Sequence, residues 1–294
     1  MDKIVAVVGV LAFAGLGSVL WQVFTPEQRG ERFVESEAGF EEVIDIDLDA
    51  MSDSEVERIV EQELEDIPYE VDGRIRWSLY WRDFSPAEER LYGGARRAPG
   101  PIRVGIQAGH WKNTDVPEEL EGLARNGSGA QGGGRTEVDT VLVIAEKVKE
   151  LLETEGIEVD LLPATIPVDY YADAFVSIHA DGNNNAAISG FKIAFPRNDF
   201  SGRSVPLVES LYESYEAETG LSRDANVTRR MSGYYAFNWR RYDHALHPMT
   251  PAAIVETGFI TNSGDRSVIV FNSDVAARGI AQGLIHFFDT YPVE

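Results

Sequence analysis

The sequence predicts an α/β fold within residues 101–294, with a mostly parallel twisted sheet covered by helices on both faces. Short apolar runs typical of strands alternate with segments of helical periodicity after Pro101, and such alternation is typical of a largely parallel sheet. A second observation adds an N-terminal transmembrane helix: the 21 residues from Ile4 to Phe24 carry no charge, and about 20 apolar residues span a bilayer as a helix.

The composition excludes several classes of protein. The chain has 294 residues, with 26 Lys and Arg against 49 Asp and Glu, so its net charge is −23. Such an acidic chain is a poor candidate for binding nucleic acid, which requires clustered positive charge. Hydrophobic residues make up 44% of the chain, enough for a buried core. With no cysteine, a disulfide, a thiolate metal site and a cysteine nucleophile are all excluded, so a metal ion must be held by His and carboxylate side chains.

Residues 1–25 are predicted to be a transmembrane anchor or a signal. The apolar run is longer than the ~7–15 residues of a signal peptide core. This length favours a single-pass membrane protein whose remaining chain lies outside the cytoplasm. Secretion after signal cleavage stays open as the alternative.

Residues 26–100 are predicted to form an acidic spacer or small N-terminal region. Between Glu35 and Asp72 there are 16 acidic residues and one basic residue. Within this stretch Ser52–Asp66 has a narrow apolar stripe typical of a helix. Arg74–Trp81 alternates like a strand, and the residues from Gly93 to Pro101 are a linker by composition.

The pattern in residues 101–294 predicts five strands and three long helices. The helix opening at Glu137 shows the clearest periodicity, because its apolar residues fall on one face. The predicted strands are 102–107, 157–162, 174–178, 190–195 and 253–257, and the predicted helices are 137–153, 205–218 and 275–288.

Four residues able to bind or use a metal ion lie at predicted strand ends or at the helix start next to them. His110 follows the first strand, His179 ends the third, Glu256 ends the fifth, and Glu137 opens the helix after a glycine-rich loop. In α/β sheets the carboxyl ends of parallel strands meet at one edge, where ligands bind. Two imidazoles and two carboxylates at that edge would make a zinc site with an open position for water.

Four segments in this order give the chain a more specific resemblance. They are Val104–His110, Thr136-Glu137 at a helix start, Ala172–Asp181 and Ile254–Asn262. Together they resemble the zinc-dependent N-acetylmuramoyl-L-alanine amidases of the amidase-3 family over about residues 101–291. The resemblance implies that His110, Glu137 and His179 bind Zn²⁺ and that Glu256 is the catalytic residue. It also implies peptidoglycan as substrate, with cleavage of the amide between N-acetylmuramic acid and L-alanine.

The sequence departs from the usual family pattern at two places. Gln107-Ala-Gly-His-Trp111 replaces an Asp-Pro-Gly-His-Gly start, and Asp115–Arg125 is expected to be an additional helical insert. Both differences are expected to change the shape of the cleft and therefore the exact substrate.

Further residues are candidates for binding the substrate. They are Arg240, Arg241, His247 and Asp181. The two arginines could pair with carboxylates of a stem peptide, while surface salt bridges are the alternative. Structural hydrogen bonding and, together with His244, metal binding are the alternatives for His247.

Two other functions stay open at this stage. One is a zinc peptidase or amidohydrolase acting on short peptides, and the other is a non-catalytic wall-binding regulatory domain. The expected partners are peptidoglycan and, through residues 4–24, a membrane, but no nucleic acid; a protein regulator is left open.

Overall fold

A computed structural model describes residues 5–7, 22–24, 69–71, 74–76, 91–92 and 100–293. The chain divides into two units, residues 1–59 and residues 60–294.

In the first unit, strand β1 (Val5–Val7) pairs antiparallel with strand β2 (Gln22–Phe24). The prediction of a transmembrane helix over residues 4–24 is therefore wrong, because backbone groups that pair between two strands are not available to one continuous helix. Within the part of the chain that the structure describes, no helix has the length and apolar character needed to cross a membrane. The predicted localisation as a single-pass membrane protein is therefore also wrong. An apolar run alone does not distinguish helix from strand, and both strands contain the β-branched valine that favours strands.

The second unit begins, among the described residues, with a short hairpin. Strand β3 (Tyr69–Val71) pairs antiparallel with strand β4 (Arg74–Arg76). The second strand confirms the start of the strand predicted over Arg74–Trp81. The helix predicted over Ser52–Asp66 lies outside the described residues.

Residues 100–293 contain a five-stranded sheet and a two-stranded hairpin. Their strands are β5 (Arg103–Ala108), β6 (Gln131–Gly132), β7 (Arg135–Thr136), β8 (Glu158–Leu162), β9 (Ala174–Asp181), β10 (Lys192–Ala194) and β11 (Ala252–Phe259). The order in the large sheet is β10-β11-β9-β5-β8. All neighbours are parallel except β10, which runs antiparallel to β11 at one edge. The predicted mostly parallel sheet is confirmed.

The helices of this region differ in length. They are α1 (Glu121–Arg125), α2 (Glu137–Thr154), α3 (Ser204–Thr219), α4 (Arg229–Ser232), α5 (Ser263–Ile269) and α6 (Ser273–Thr290). The three long ones match the three predicted helices. A 3₁₀ turn over Glu118–Leu120 precedes α1, so the insert at 115–125 is helical as expected.

The long helices α2, α3 and α6 all pack on one face of the sheet. Side chains from alternate strand positions, such as Ile106, Val176 and Val255, form one buried core with them. The opposite face is covered in the described residues by short helices and loops, with Leu120, Met231 and the aromatic residues of 235–237 in a second core. The sheet was predicted to have helices on both faces, and in the described residues the long helices lie on one face while the other carries only short helices and loops. The site described next lies at the end of the second face.

Candidate metal centre

His110 is held at the carboxyl end of β5 by an unusual backbone. The Gly109 N–H donates to the Ile178 carbonyl of β9 (2.9 Å), and His110 itself adopts a left-handed conformation with φ 61°. Such a conformation is uncommon for a residue with a side chain. Its Nδ1 lies 3.2 Å from the Gly127 carbonyl, which directs Nε2 towards Glu137 at 3.4 Å.

Glu137 is the first residue of α2 and is buried at 5% exposure. The hydroxyl of the preceding residue Thr136 caps the helix by accepting from the Asp139 N–H. Both carboxylate oxygens of Glu137 are fixed by backbone donors: the Ala130 N–H donates to Oε2 (2.8 Å) and the Ala180 N–H to Oε1 (3.2 Å). These two bonds come from the backbone and leave the contacts of Oε1 with His110 and His179 in place.

His179 completes the cluster near the end of β9. Its Nδ1 lies 2.9 Å from Oε1 of Glu137, and its ring stands at 78° to that of His110 with centroids 5.3 Å apart. Burial raises the pKa of Glu137, but hydrogen bonds and electrostatic interactions with His110 and His179 outweigh burial and lower the pKa overall. The site therefore favours the carboxylate form of Glu137, which is the form that binds metal ions.

The three side chains fit a zinc ion. Their ligand atoms lie within 4.8 Å of one another, and the two measured separations are 2.9 and 3.4 Å. Tetrahedral zinc with bonds of about 2.0–2.1 Å keeps its ligands about 3.4 Å apart. The carbonyl behind His110 and the N–H groups behind Glu137 supply the orienting contacts that metal ligands usually have. Two His and one Glu is also a ligand set of catalytic zinc sites.

Glu256 lies next to this cluster, on the neighbouring strand β11. It is the register partner of His179 on one side and of Lys192 in β10 on the other. Its Oε2 atom is buried and has no hydrogen-bond partner among the described residues. Burial raises the pKa of Glu256 well above its usual range; the charges of Glu137 and Asp181 raise it further, and Lys192 opposes them.

Asp181, a predicted substrate-binding residue, lies at the same edge of the sheet but already has a partner. Lys192 Nζ contacts Oδ2 of Asp181 (2.7 Å) and Oδ2 of Asp224 (3.0 Å). The ammonium group is buried at 7% side-chain exposure. This ion network forms the wall of the site next to Glu256.

The structure does not bring His247 to the cluster. Its N–H donates to the Tyr170 carbonyl (2.9 Å) and its ring stacks on Tyr171 (4.1 Å), two residues that precede β9. His179 lies five residues beyond the start of β9, or roughly 17 Å along the strand. The His247 ring is held by packing on Tyr171, and its contact with the substrate stays a prediction.

The two arginines lie against aromatic rings. The Arg240 guanidinium lies over Trp239 (4.5 Å) and Phe200 (4.9 Å), and Arg241 lies over Tyr242 (5.1 Å). Trp239 is connected through the ring of Tyr92 to His247. A role of Arg240 and Arg241 in substrate binding stays a prediction.

Sequence reasoning missed the support beneath His179. The Tyr234 ring meets His179 edge-on at 5.6 Å, and its hydroxyl donates to Oε1 of Gln107 (3.0 Å). The fully buried Gln107 amide donates in turn to the Ala164 carbonyl (3.0 Å). A polar residue inside an otherwise apolar strand was the available signal for Gln107, and Lys192 in the apolar run 190–195 gave the same signal.

A His-Glu-His cluster at the carboxyl edge of a mostly parallel sheet, with a further buried carboxyl group beside it, is an arrangement typical of metal-dependent hydrolases. A comparison with protein families agrees: the model of the family described as N-acetylmuramoyl-L-alanine amidase matches residues 104–286. The chain belongs to this family.

Individual relatives are distant. The chain is 27% identical over 198 residues to the N-acetylmuramoyl-L-alanine amidase LytC of Bacillus subtilis, covering 62% of this chain and 38% of LytC. It is 24% identical over 208 residues to the N-acetylmuramoyl-L-alanine amidase AmiA of Escherichia coli, covering 55% of this chain and 72% of AmiA. At 38% coverage, this chain spans less than half of the length of LytC. Among solved structures, AmiC2 of Nostoc punctiforme matches with a TM-score of 0.48 and 21% identity, over 65% of this chain and 99% of that one.

Proposed function

We propose that residues 101–294 form a zinc-dependent amidase that hydrolyses the bond between N-acetylmuramic acid and L-alanine in peptidoglycan. One observation carries the proposal: the structure gathers His110, Glu137 and His179 into one metal-sized cluster and places Glu256 on the adjoining strand. The family supports the choice of substrate.

The three ligands would hold the zinc ion through His110 Nε2, Glu137 Oε1 and His179 Nδ1, the atoms that face one another in the structure. Zinc in such a site supplies Lewis acidity, which polarises an amide carbonyl and makes water easier to deprotonate. The backbone donors to Glu137 and the carbonyl beside His110 fix these side chains before substrate arrives.

Glu256 would act as the general base and then as the general acid. Its free Oε2 takes a proton from the attacking water as the new C–O bond forms at the amide carbonyl. As the C–N bond breaks, the same oxygen returns that proton to the nitrogen of L-alanine. The products are the lactyl carboxylic acid on the sugar, which keeps the second proton of the water, and a free peptide amine; in neutral solution they ionise to carboxylate and ammonium. Burial raises the pKa of Glu256, and a group that both accepts and returns a proton works best when its pKa lies near the operating pH rather than at the usual value of a carboxyl group.

A comparison of single variants tests this function. Purified protein is incubated with purified sacculi, and new N-terminal alanine amines and bound zinc are both measured. Glu256→Gln should keep one zinc per chain and lose most turnover, about 10²–10⁴-fold for a general base. His179→Ala should lose zinc and turnover together. Glu158→Gln, which changes an exposed carboxylate on β8, is the matched control and should resemble wild type.

Three results would contradict the proposal. Full activity in Glu256→Gln would remove its catalytic role, and wild-type protein without stoichiometric zinc would remove the metal site. Cleavage of free short peptides with no new alanine amine from sacculi would indicate a peptidase instead.

A further inference from the structure

The strand that carries Glu256 is irregular directly after that residue. Glu256 pairs with His179, but the next pair joins Phe259 with Asp181, so β11 uses three residues where β9 uses two. Gly258 accommodates this bulge with φ 155°. Bulges of this kind redirect the neighbouring side chains, so whatever holds the bulge also influences where Glu256 points.

One buried carboxyl group holds the bulge. Asp265, in the first turn of α5, has no solvent exposure. Its Oδ2 accepts from the Phe259 N–H (2.8 Å) inside the bulge and from the Gly190 N–H (2.9 Å), and its Oδ1 accepts from the Ser189 hydroxyl (2.6 Å). Glu256 itself does not contact it.

The bonds of Asp265 to Ser189 and Gly190 reach the segment that leads to Lys192, the neighbour of Glu256 on β10. Ser189 and Gly190 lie three and two residues before Lys192, the first residue of β10 and the register partner of Glu256. Asp265 therefore joins the end of β11 to the segment that leads into β10. These are the two strands whose pairing brings Glu256 of β11 next to Lys192 of β10 and its ion network.

The surrounding residues fix Asp265 closely. Asn262 caps α5 by accepting from the Gly264 and Asp265 N–H groups (2.8 and 3.0 Å). A Cβ atom at Gly258 would come within 3.3 Å of the Asp265 Cβ, so the bulge and the carboxyl group are already in close contact.

We propose that Asp265 is a positioning residue for Glu256, acting through its bonds to the β11 bulge and to the residues that lead into β10. The inference rests on the proposed function of Glu256. Without Asp265, two buried N–H groups lose their acceptor, so the bulge is expected to relax and Glu256 to move. A displacement of about 1 Å at a reacting group can cost about 10²-fold in rate.

The test compares three variants in zinc-loaded protein acting on sacculi. Asp265→Ala should keep one zinc and a KM within about twofold of wild type, while kcat falls about 10–100-fold. Asp265→Asn should recover most of kcat, because its amide oxygen can accept from both N–H groups and its NH₂ can donate to the Ser189 oxygen. Asp199→Ala is the matched control. Asp199 accepts a hydroxyl bond from Ser201, as Asp265 does from Ser189, and one N–H bond, from Ser204, where Asp265 accepts two; its loss should leave kcat unchanged.

Amide hydrogen exchange provides a readout that does not depend on turnover, and a second variant replaces Asp265→Ala if that variant does not fold. The Phe259 and Gly190 amides should be protected in wild type and exchange at least tenfold faster in Asp265→Ala. If that variant does not fold, both amides should still exchange faster than wild type in Asp265→Asn, because a neutral amide oxygen is a weaker acceptor than a carboxylate. Equal exchange in wild type and the folded variant would overturn the inference. So would a wild-type kcat in Asp265→Ala, or an equal loss of kcat in Asp199→Ala. Wild-type protein that binds zinc but releases no alanine amine would instead contradict the proposed function, and the exchange comparison would still decide the role of Asp265.

Discussion

Replacing Gly109 by alanine is expected to disrupt the metal centre without altering a ligand. A Cβ atom at this position would lie 2.5, 2.6 and 2.8 Å from three atoms of the His179 ring. Ordinary contacts between such atoms begin near 3.5 Å, so the ring must move by about 1 Å. The ring has little room, because Tyr234 and His110 both lie against it.

Two effects should follow from this displacement. Overpacking of a buried site typically costs about 1–3 kcal/mol of unfolding free energy. Disturbing the orientation of a metal ligand typically costs about 10–100-fold in metal affinity or activity. We therefore expect Gly109→Ala to weaken zinc binding by at least about tenfold and to lower kcat on sacculi.

The assay is a competitive zinc titration of the apo protein, together with denaturant unfolding. Gly122→Ala is the matched control: Gly122 lies in α1 with nothing within 4 Å of its Cβ position, and alanine favours a helix over glycine. This control should bind zinc like wild type and be as stable or slightly more stable. Wild-type zinc affinity in Gly109→Ala would refute the packing argument.

Three further predictions concern the metal, the support of His179 and pH. Removing zinc with a chelator should abolish turnover and lower Tm, because a ligand bound only by the folded state stabilises it; re-addition of zinc should restore both. Gln107→Ala should lower the unfolding free energy by about 1–3 kcal/mol in denaturant titrations, since it leaves the Tyr234 hydroxyl without its buried acceptor; an unchanged value would count against that network. Burial lowers the pKa of His247, with Asp169 opposing, so its contribution to stability is complete above the unfolded pKa of about 6.5 and is lost as the pH falls. His247→Gln should therefore flatten the pH dependence of unfolding between about pH 7 and 5 relative to wild type, and an unchanged slope would contradict this assignment.

Periodicity predicted the regular elements of residues 101–294 well. The helix predicted over 137–153 is observed as Glu137–Thr154, because its apolar face must pack on the sheet for the core to close. The short helix α5 was missed. Its seven residues carry too little periodicity to be recognised, although Asn262 is a typical capping residue.

The apolar N-terminal run shows where the same reasoning failed. Hydrophobicity over Ile4–Phe24 measures only how strongly these residues avoid water. Which backbone groups pair with one another is a separate matter, and in this structure Val5–Val7 pairs with Gln22–Phe24.

The sequence by itself determined which residues could serve as metal ligands and general base. The absence of cysteine limited the choice to His and carboxylate side chains, and the strand-end rule selected His110, Glu137, His179 and Glu256. These residues could be predicted from the sequence because each lies next to a local signal, either a strand end or a helix start. The structure then placed the first three within one metal-sized cluster.

Only the tertiary structure decided what orients those groups and which other residues share their site. The bonds of Asp265 to Ser189 and of Gln107 to Tyr234 join positions 76 and 127 residues apart, so no local pattern records them. The same holds for His247, whose ring stacks on Tyr171. Ligand identity follows from side-chain chemistry, which is a property of single residues, whereas orientation follows from packing, which exists only once the chain has folded.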